Sequence, residues 1–248
     1  MCYLQQNWNI THEELRRIAK QYIILQEKRQ AVKQSSSKTP SQISSWLNSQ
    51  LTSLKKELVS RFEEQLEGHP LLEWCKIVKG LGPTSALIYA GYIDPHIAES
   101  PAKVYAYWGF TPEGKRRPGK KIKGRPELKR NAWFFAKAVI MKKDPYYTPL
   151  WQAKKQYLLN REDIKNRPKA VKAVADGKAT YWLAKILLSH AWEKLREGCL
   201  LPGCRHKHPY IPPKPHVNAE PPQKLIEIIL KGERKPYPEQ ADYKPPSS

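Results

Sequence analysis

The residues with the clearest chemical potential lie in two places near the middle of the chain. The first is "IVKGLGPTSALIYA", residues 77–90, where Gly80 and Gly82 flank Leu81, and Pro83 and Thr84 open an apolar run. A tight hairpin between two short helices needs glycine where φ is positive or where backbones approach closely, and both glycines are assigned to that turn. Pro83 suits the first turn of the second helix, where a missing N–H costs nothing. The free N–H groups of such a helix start, at the positive end of the macrodipole, are a ready site for a phosphate oxygen. Gly80, Gly82 and Thr84 are therefore candidate phosphate contacts. The spacing is that of a helix-hairpin-helix, which grips a DNA backbone without reading bases; the competing reading is an ordinary tight turn between two core helices.

The second place is "GKRRPGKKIKGRPELKR", residues 114–130, which crowds Lys115, Arg116, Arg117, Lys120, Lys121, Lys123, Arg125, Lys129 and Arg130 among three glycines and two prolines. A packed core has no use for such a segment, and like charges this dense repel unless a polyanion neutralises them. Phosphate binding is the functional reading and a solvated loop the structural one. Lys129 and Arg130 fall in the first turns of a helix leading to Trp133 and Phe134. Basic groups there oppose the helix dipole, so something other than helix stability is expected to keep them.

A third group, Cys199, Cys204, His206 and His208, has the ligand types of a Cys2His2 zinc site. Its spacings fall outside the usual two-to-four and three-to-five residue pattern, and no other cofactor is suggested. The other reading has these histidines and Tyr210 packing a proline-rich strap onto the domain. Four cysteines, Cys2, Cys75, Cys199 and Cys204, are too scattered for a disulfide framework.

The 248 residues carry a formal charge of +21, far beyond what solubility requires, which points to a polyanionic partner. Residues 71–200 hold 26 of the 44 basic side chains against 11 of the 23 acidic ones, so the partner is expected on that segment. No apolar run approaches the ~18 residues of a membrane span and the N-terminus lacks a signal-peptide pattern. An intracellular, non-membrane protein is expected, cytoplasmic and nucleoid-associated or carried by a mobile element, plasmid or virus.

The elements that must position these groups read as mainly α-helical, with few strands. Thr11 and Glu14 have capping-box spacing, followed by Leu15, Ile18, Tyr22, Leu25 and Val32 at helical intervals. "SSSKTPSQ", residues 35–42, reads as a turn, and a second helix is expected from about Ser41 to Glu67 with Leu47, Leu51, Leu54, Leu58, Phe62 and Leu66 on one face. Two such helices make a coiled-coil-like hairpin over residues 1–69, whose narrow stripes are completed by a second copy in a homodimer or by the rest of the domain. Further helices are expected from Pro101 to Gly109, Pro126 to about Lys143, Tyr147 to Asn160, Asn166 to Asp176, Lys178 to Glu197, and Gln223 to Lys231. Residues 70–213 form the DNA-binding domain in this reading and 214–248 a proline-rich tail. Trp182, Trp192 and the other tryptophans are expected in the core.

"LLEWCKIVKGLGPTSALIYAGYID", followed by "VYAYWGFTPEGKRRPGKKIKGRPELKRNAWFFAKAVI", resembles the C-terminal domain of the 110/116/902 group of insertion-sequence transposases. That domain runs from a "GIGP" hairpin to "AYAGLTP", a serine-glycine-lysine segment and a helix with Leu-Arg pairs. The tail "GCRHKHPYIPP" is similar to the endings of archaeal-type relatives, where the strap-packing role of the histidines is implied. The resemblance covers about residues 41–213. It implies DNA recombination, with double-stranded DNA as partner. The group's ribonuclease-H-like half, with its acidic metal ligands, has no counterpart before residue 70.

The resemblance also implies a serine nucleophile just before the Gly-Lys step. Here that step is Gly119-Lys120 and the preceding residue is Pro118, which has no hydroxyl to activate. Ser100 and Thr111 lie upstream, away from the motif position. Lys129 stands where the family motif has arginine, which keeps the charge and loses the bidentate fork. Three readings follow: a DNA-binding derivative that is not catalytic alone; an active recombinase whose metal-binding half a partner supplies; and an RNA-binding protein, since backbone-directed basic surfaces accept both polymers.

Overall fold

Thr11 and Glu14 start the first helix with a reciprocal cap: the Thr11 N–H donates to Glu14 Oε2 at 2.8 Å, and the Glu14 N–H to Thr11 Oγ1 at 3.2 Å. The computed structural model describes residues 10–38, 41–98, 100–111, 124–165, 171–198 and 223–232. These form ten helices: α1 (His12–Lys38), α2 (Gln42–Gln65), α3 (Pro70–Ile77), α4 (Pro83–Tyr92), α5 (Pro101–Tyr107), α6 (Pro126–Met141), α7 (Tyr147–Asn160), α8 (Glu162–Lys165), α9 (Val171–Gly198) and α10 (Gln223–Lys231). The fold is mainly α, and no strand occurs among the described residues.

Two helices organise the rest. α4 is buried on every side from Ser85 to Tyr92 and packs against α1, α2, α3 and α9. A short helix apolar all round belongs inside a fold rather than on its surface. α9 runs along α3, α5, α6 and α7, burying Leu183, Ala184, Leu187, Leu188 and Ala191. One apolar core joins Leu15, Ala19 and Tyr22 of α1 and Phe62 of α2 to Leu87 and Tyr89 of α4 and Trp108, Val139 and Leu187 beyond, so it runs without a break across residues 69 and 70.

Several polar groups inside this core have hydrogen-bond partners, although the buried Tyr89 hydroxyl has none among the described residues. Tyr147 Oη and His190 Nδ1 lie 2.6 Å apart, Tyr105 and Ser189 share a hydrogen bond through their hydroxyls, and the Trp192 indole donates to the Ala98 carbonyl at 2.6 Å. Such satisfaction is what burial of these groups requires. Trp74, Trp108 and Trp192 are core residues as expected, whereas Trp46 is 61% exposed.

Three sequence expectations change. Ser35–Ser37 continue α1 instead of turning, with the Ser36 hydroxyl donating back to the Val32 carbonyl at 2.8 Å and Ser37 to that of Gln34, so these side chains need no acceptor outside the helix. α1 ends at Lys38, and Ser41 caps α2, accepting from the Ser44 N–H at 3.1 Å. Second, the helices expected on either side of Gly177 are a single helix, α9, from Val171 onward. A glycine costs about 1 kcal/mol inside a helix, which the burial of Ala175 and Ala179 beside it, and the Asp176 bridge to Lys137 and Lys155, offset. Third, the leucine stripe of α2 is not covered evenly. Phe62 and Leu66 are buried, Leu51 and Leu58 half-buried, and Leu47 and Leu54 exposed, since α1 covers only one edge of the stripe.

Candidate nucleic-acid interface

The hairpin between α3 and α4 is built by backbone contacts that differ at its two glycines. Gly80 has φ +100°, in the left-handed region, and a Cβ there would lie 2.5 Å from the carbonyl carbon of Ala138 in α6. Both the turn and the approach to α6 therefore require glycine. Beside it, the Lys79 N–H donates to Asp144 Oδ2 at 3.0 Å, and Asp144 Oδ1 accepts from the N–H groups of Tyr146 and Tyr147. One buried carboxylate thus pins the hairpin and starts α7.

Gly82 is different. Its backbone is extended (φ 165°), a conformation open to any residue, and a Cβ there would meet nothing within 4 Å. The expectation that both glycines are needed for the turn holds for Gly80 and is corrected for Gly82. The Gly82 N–H donates to Ser85 Oγ at 2.9 Å, and the Ser85 hydroxyl donates to the Gly82 carbonyl at 2.8 Å. Pro83 has no N–H, so Thr84, the second residue of α4, presents the first helical N–H with no acceptor inside the helix.

Of the basic run, Arg125, Lys129 and Arg130 are described; Lys115, Arg116, Arg117, Pro118, Lys120, Lys121 and Lys123 lie outside the described residues, as do Cys199, Cys204, His206 and His208. The backbones of Gly109 and Gly124 approach closely, since a Cβ on Gly124 would lie 2.5 Å from Gly109 Cα. The three described cations have partners within the fold. Arg125 lies 6.0 and 5.3 Å from the ring centroids of Tyr92 and Tyr107, and Lys129 lies 5.8 and 5.6 Å from those of Phe110 and Tyr181. Arg130 pairs with Glu27 of α1 at 3.1 Å. Cation–π contacts and an ion pair of this kind hold basic groups at a helix start against the dipole without any nucleic acid.

The candidates thus fall into separate groups. Arg125 and Lys129 sit with the aromatic rings of α4, α5 and α9. Thr84 lies beside α1, lining a groove of about 330 Å³ with Tyr22 and Arg29 of α1 and Thr52, Lys55, Lys56, Val59, Ser60 and Glu63 of α2. Arg130 pairs with Glu27 of α1, which is not among the groove's lining residues. Arg29, Lys55 and Lys56 were not legible as site residues, because in sequence they are ordinary charges on two solvated helices; only the packing of α1 and α2 on α4 gathers them.

No protein-family model, curated protein or solved structure matches this chain. Among the described residues no group of three or more His, Cys, Asp or Glu side chains is arranged to hold a metal ion, and no helix is long and apolar enough to cross a membrane.

Proposed function

We propose that this chain binds double-stranded DNA through its phosphate backbone, largely independently of base sequence, and that it derives from the C-terminal part of an insertion-sequence transposase. The observation that carries the reading is the start of α4. A glycine that the fold does not need, Gly82, leaves open space immediately before a helix whose second residue, Thr84, faces a groove lined by three cations. Absence of a side chain where nothing internal demands it suits close approach by an external backbone. The charge of +21 and the basic run supply the long-range attraction.

Pro118 at the family's serine position makes strand transfer by this chain alone unexpected. The chain acts as a homodimer in this reading. Ile43, Leu47 and Leu54 form an exposed edge of α2, and residues 41–54 carry no charged side chain in an otherwise strongly basic protein. Two like-charged copies approach most easily over a neutral apolar face.

The test is fluorescence anisotropy with duplexes of unrelated sequence and with duplex RNA, alongside an assay for covalent protein–DNA adducts with magnesium. Near-equal affinities across DNA sequences and no adduct are expected. Preference for RNA by more than tenfold contradicts the DNA assignment, and an adduct formed by the wild-type chain contradicts the loss of catalysis. An adduct that appears only with a second protein favours the split recombinase.

A further inference from the structure

We propose that the groove between α1, α2 and the start of α4 is a phosphodiester site, holding backbone oxygens of the bound nucleic acid on Arg29, Lys55, Lys56 and Thr84. This rests on the nucleic-acid reading and adds to it a surface outside the basic run of residues 114–130.

The electrostatics are one-sided. Arg29, Lys55 and Lys56 line the groove with a single carboxylate, Glu63, and Glu63 is already engaged by Lys76 at 3.0 Å. None of the three cations forms an ion pair among the described residues; Lys55 Nζ rests 4.7 Å from the centroid of the Tyr22 ring instead. Arg29 Nε is enclosed with no hydrogen-bond partner. Arg29 itself lines the groove, and phosphate oxygens match the planar fork of arginine.

The second contribution comes from α4. At ten residues it is long enough to present a dipole, and Thr84, at its positive end, lines the groove together with the three side chains. The absent side chain at Gly82 keeps that end approachable. A nucleobase is a poorer occupant: the groove walls are mostly polar, and its one aromatic ring, Tyr22, already carries the Lys55 ammonium. The structure therefore assigns the groove to the backbone, with no base readout.

The experiment measures the salt dependence of duplex-DNA binding for the full chain and for Arg29→Gln, Lys55→Gln and Lys56→Gln. Lys172→Gln, at an exposed position of α9, a helix that contributes nothing to the groove lining, is the charge control. Thermal unfolding of each variant checks that the fold is kept, and Lys56, the most exposed of the three, gives the cleanest reading. Each groove variant is expected to lower the log–log salt slope by about 1 and to weaken binding alike for unrelated sequences. Slopes unchanged while the wild type binds, or an equal change in Lys172→Gln, overturn the groove assignment and leave the nucleic-acid reading standing. A wild type that binds no DNA at low salt is a different result and overturns that reading itself. Inorganic pyrophosphate is the second probe. If it stabilises the wild type but not Lys55→Gln, while the DNA slopes do not move, the groove belongs to a free anion and the backbone assignment is wrong.

Discussion

The N–H of Lys79 and the carboxylate of Asp144 meet at 3.0 Å across 65 residues of sequence, joining the α3–α4 hairpin to the turn between α6 and α7. The same carboxylate accepts from Tyr146 and Tyr147, so one buried side chain satisfies three N–H groups. Asp144→Ala leaves all three without that acceptor and is expected to cost about 3 kcal/mol. Urea unfolding checks this, with Asp144→Asn, which keeps part of the acceptor set, losing less.

The two hairpin glycines give opposite outcomes. Gly80→Ala drives a Cβ into the Ala138 carbonyl at a positive φ and is expected to destabilise the fold by about 3 kcal/mol. Gly82→Ala meets nothing and stays within about 0.5 kcal/mol of wild type. Gly82→Val nevertheless weakens DNA binding if the helix start is a phosphate site. Parallel unfolding and anisotropy measurements separate the two roles.

How much of this was legible follows from what each signal depends on. Local signals served well: the Thr11–Glu14 cap, proline at the first turn of α4, α5 and α6, and the bounds of α7 and α10 agree with the sequence reading. The errors came where packing outvotes local preference. Ser35–Ser37 and Gly177 read as breaks, yet the serine hydroxyls find acceptors inside the helix at the first and buried alanines flank the second. At the candidate site, the Gly80–Thr84 hairpin was visible as a motif, but the distinct duties of Gly80 and Gly82 depend on Ala138, far away in sequence. The partners of Arg125, Lys129 and Arg130 come from four other helices or their edges, which no spacing rule connects.

Glu27 competes with phosphate for Arg130. Their pair is half exposed on both sides, so Glu27→Gln is expected to change stability by less than about 1 kcal/mol. It releases a cation of the basic run, and DNA binding is expected to tighten with a salt slope steeper by up to about 1. Anisotropy at several salt concentrations measures both effects.

Acid is expected to unfold the protein partly through His69. Burial lowers its pKa from 6.5 to about 4, while its Nδ1 accepts from the Leu71 N–H as the cap of α3. As pH falls the unfolded chain takes up this proton first. The stabilisation is therefore complete above about pH 6.5 and is lost between there and about pH 4, amounting to ~3 kcal/mol. His12 shifts in the same direction, burial outweighing the neighbouring Asp94. His69→Asn keeps a cap acceptor and removes the titration, so its stability is expected to vary less with pH over that window, as measured by urea midpoints.

The most direct measurement of the central claim is the affinity of the full chain for one mixed-sequence DNA duplex across a series of salt concentrations. Neutralisation of five or more phosphates predicts a log–log slope of about −4 or steeper, and the same slope for a second, unrelated duplex. A flat salt response, or no binding at low salt, contradicts the claim that this protein holds nucleic acid by its backbone.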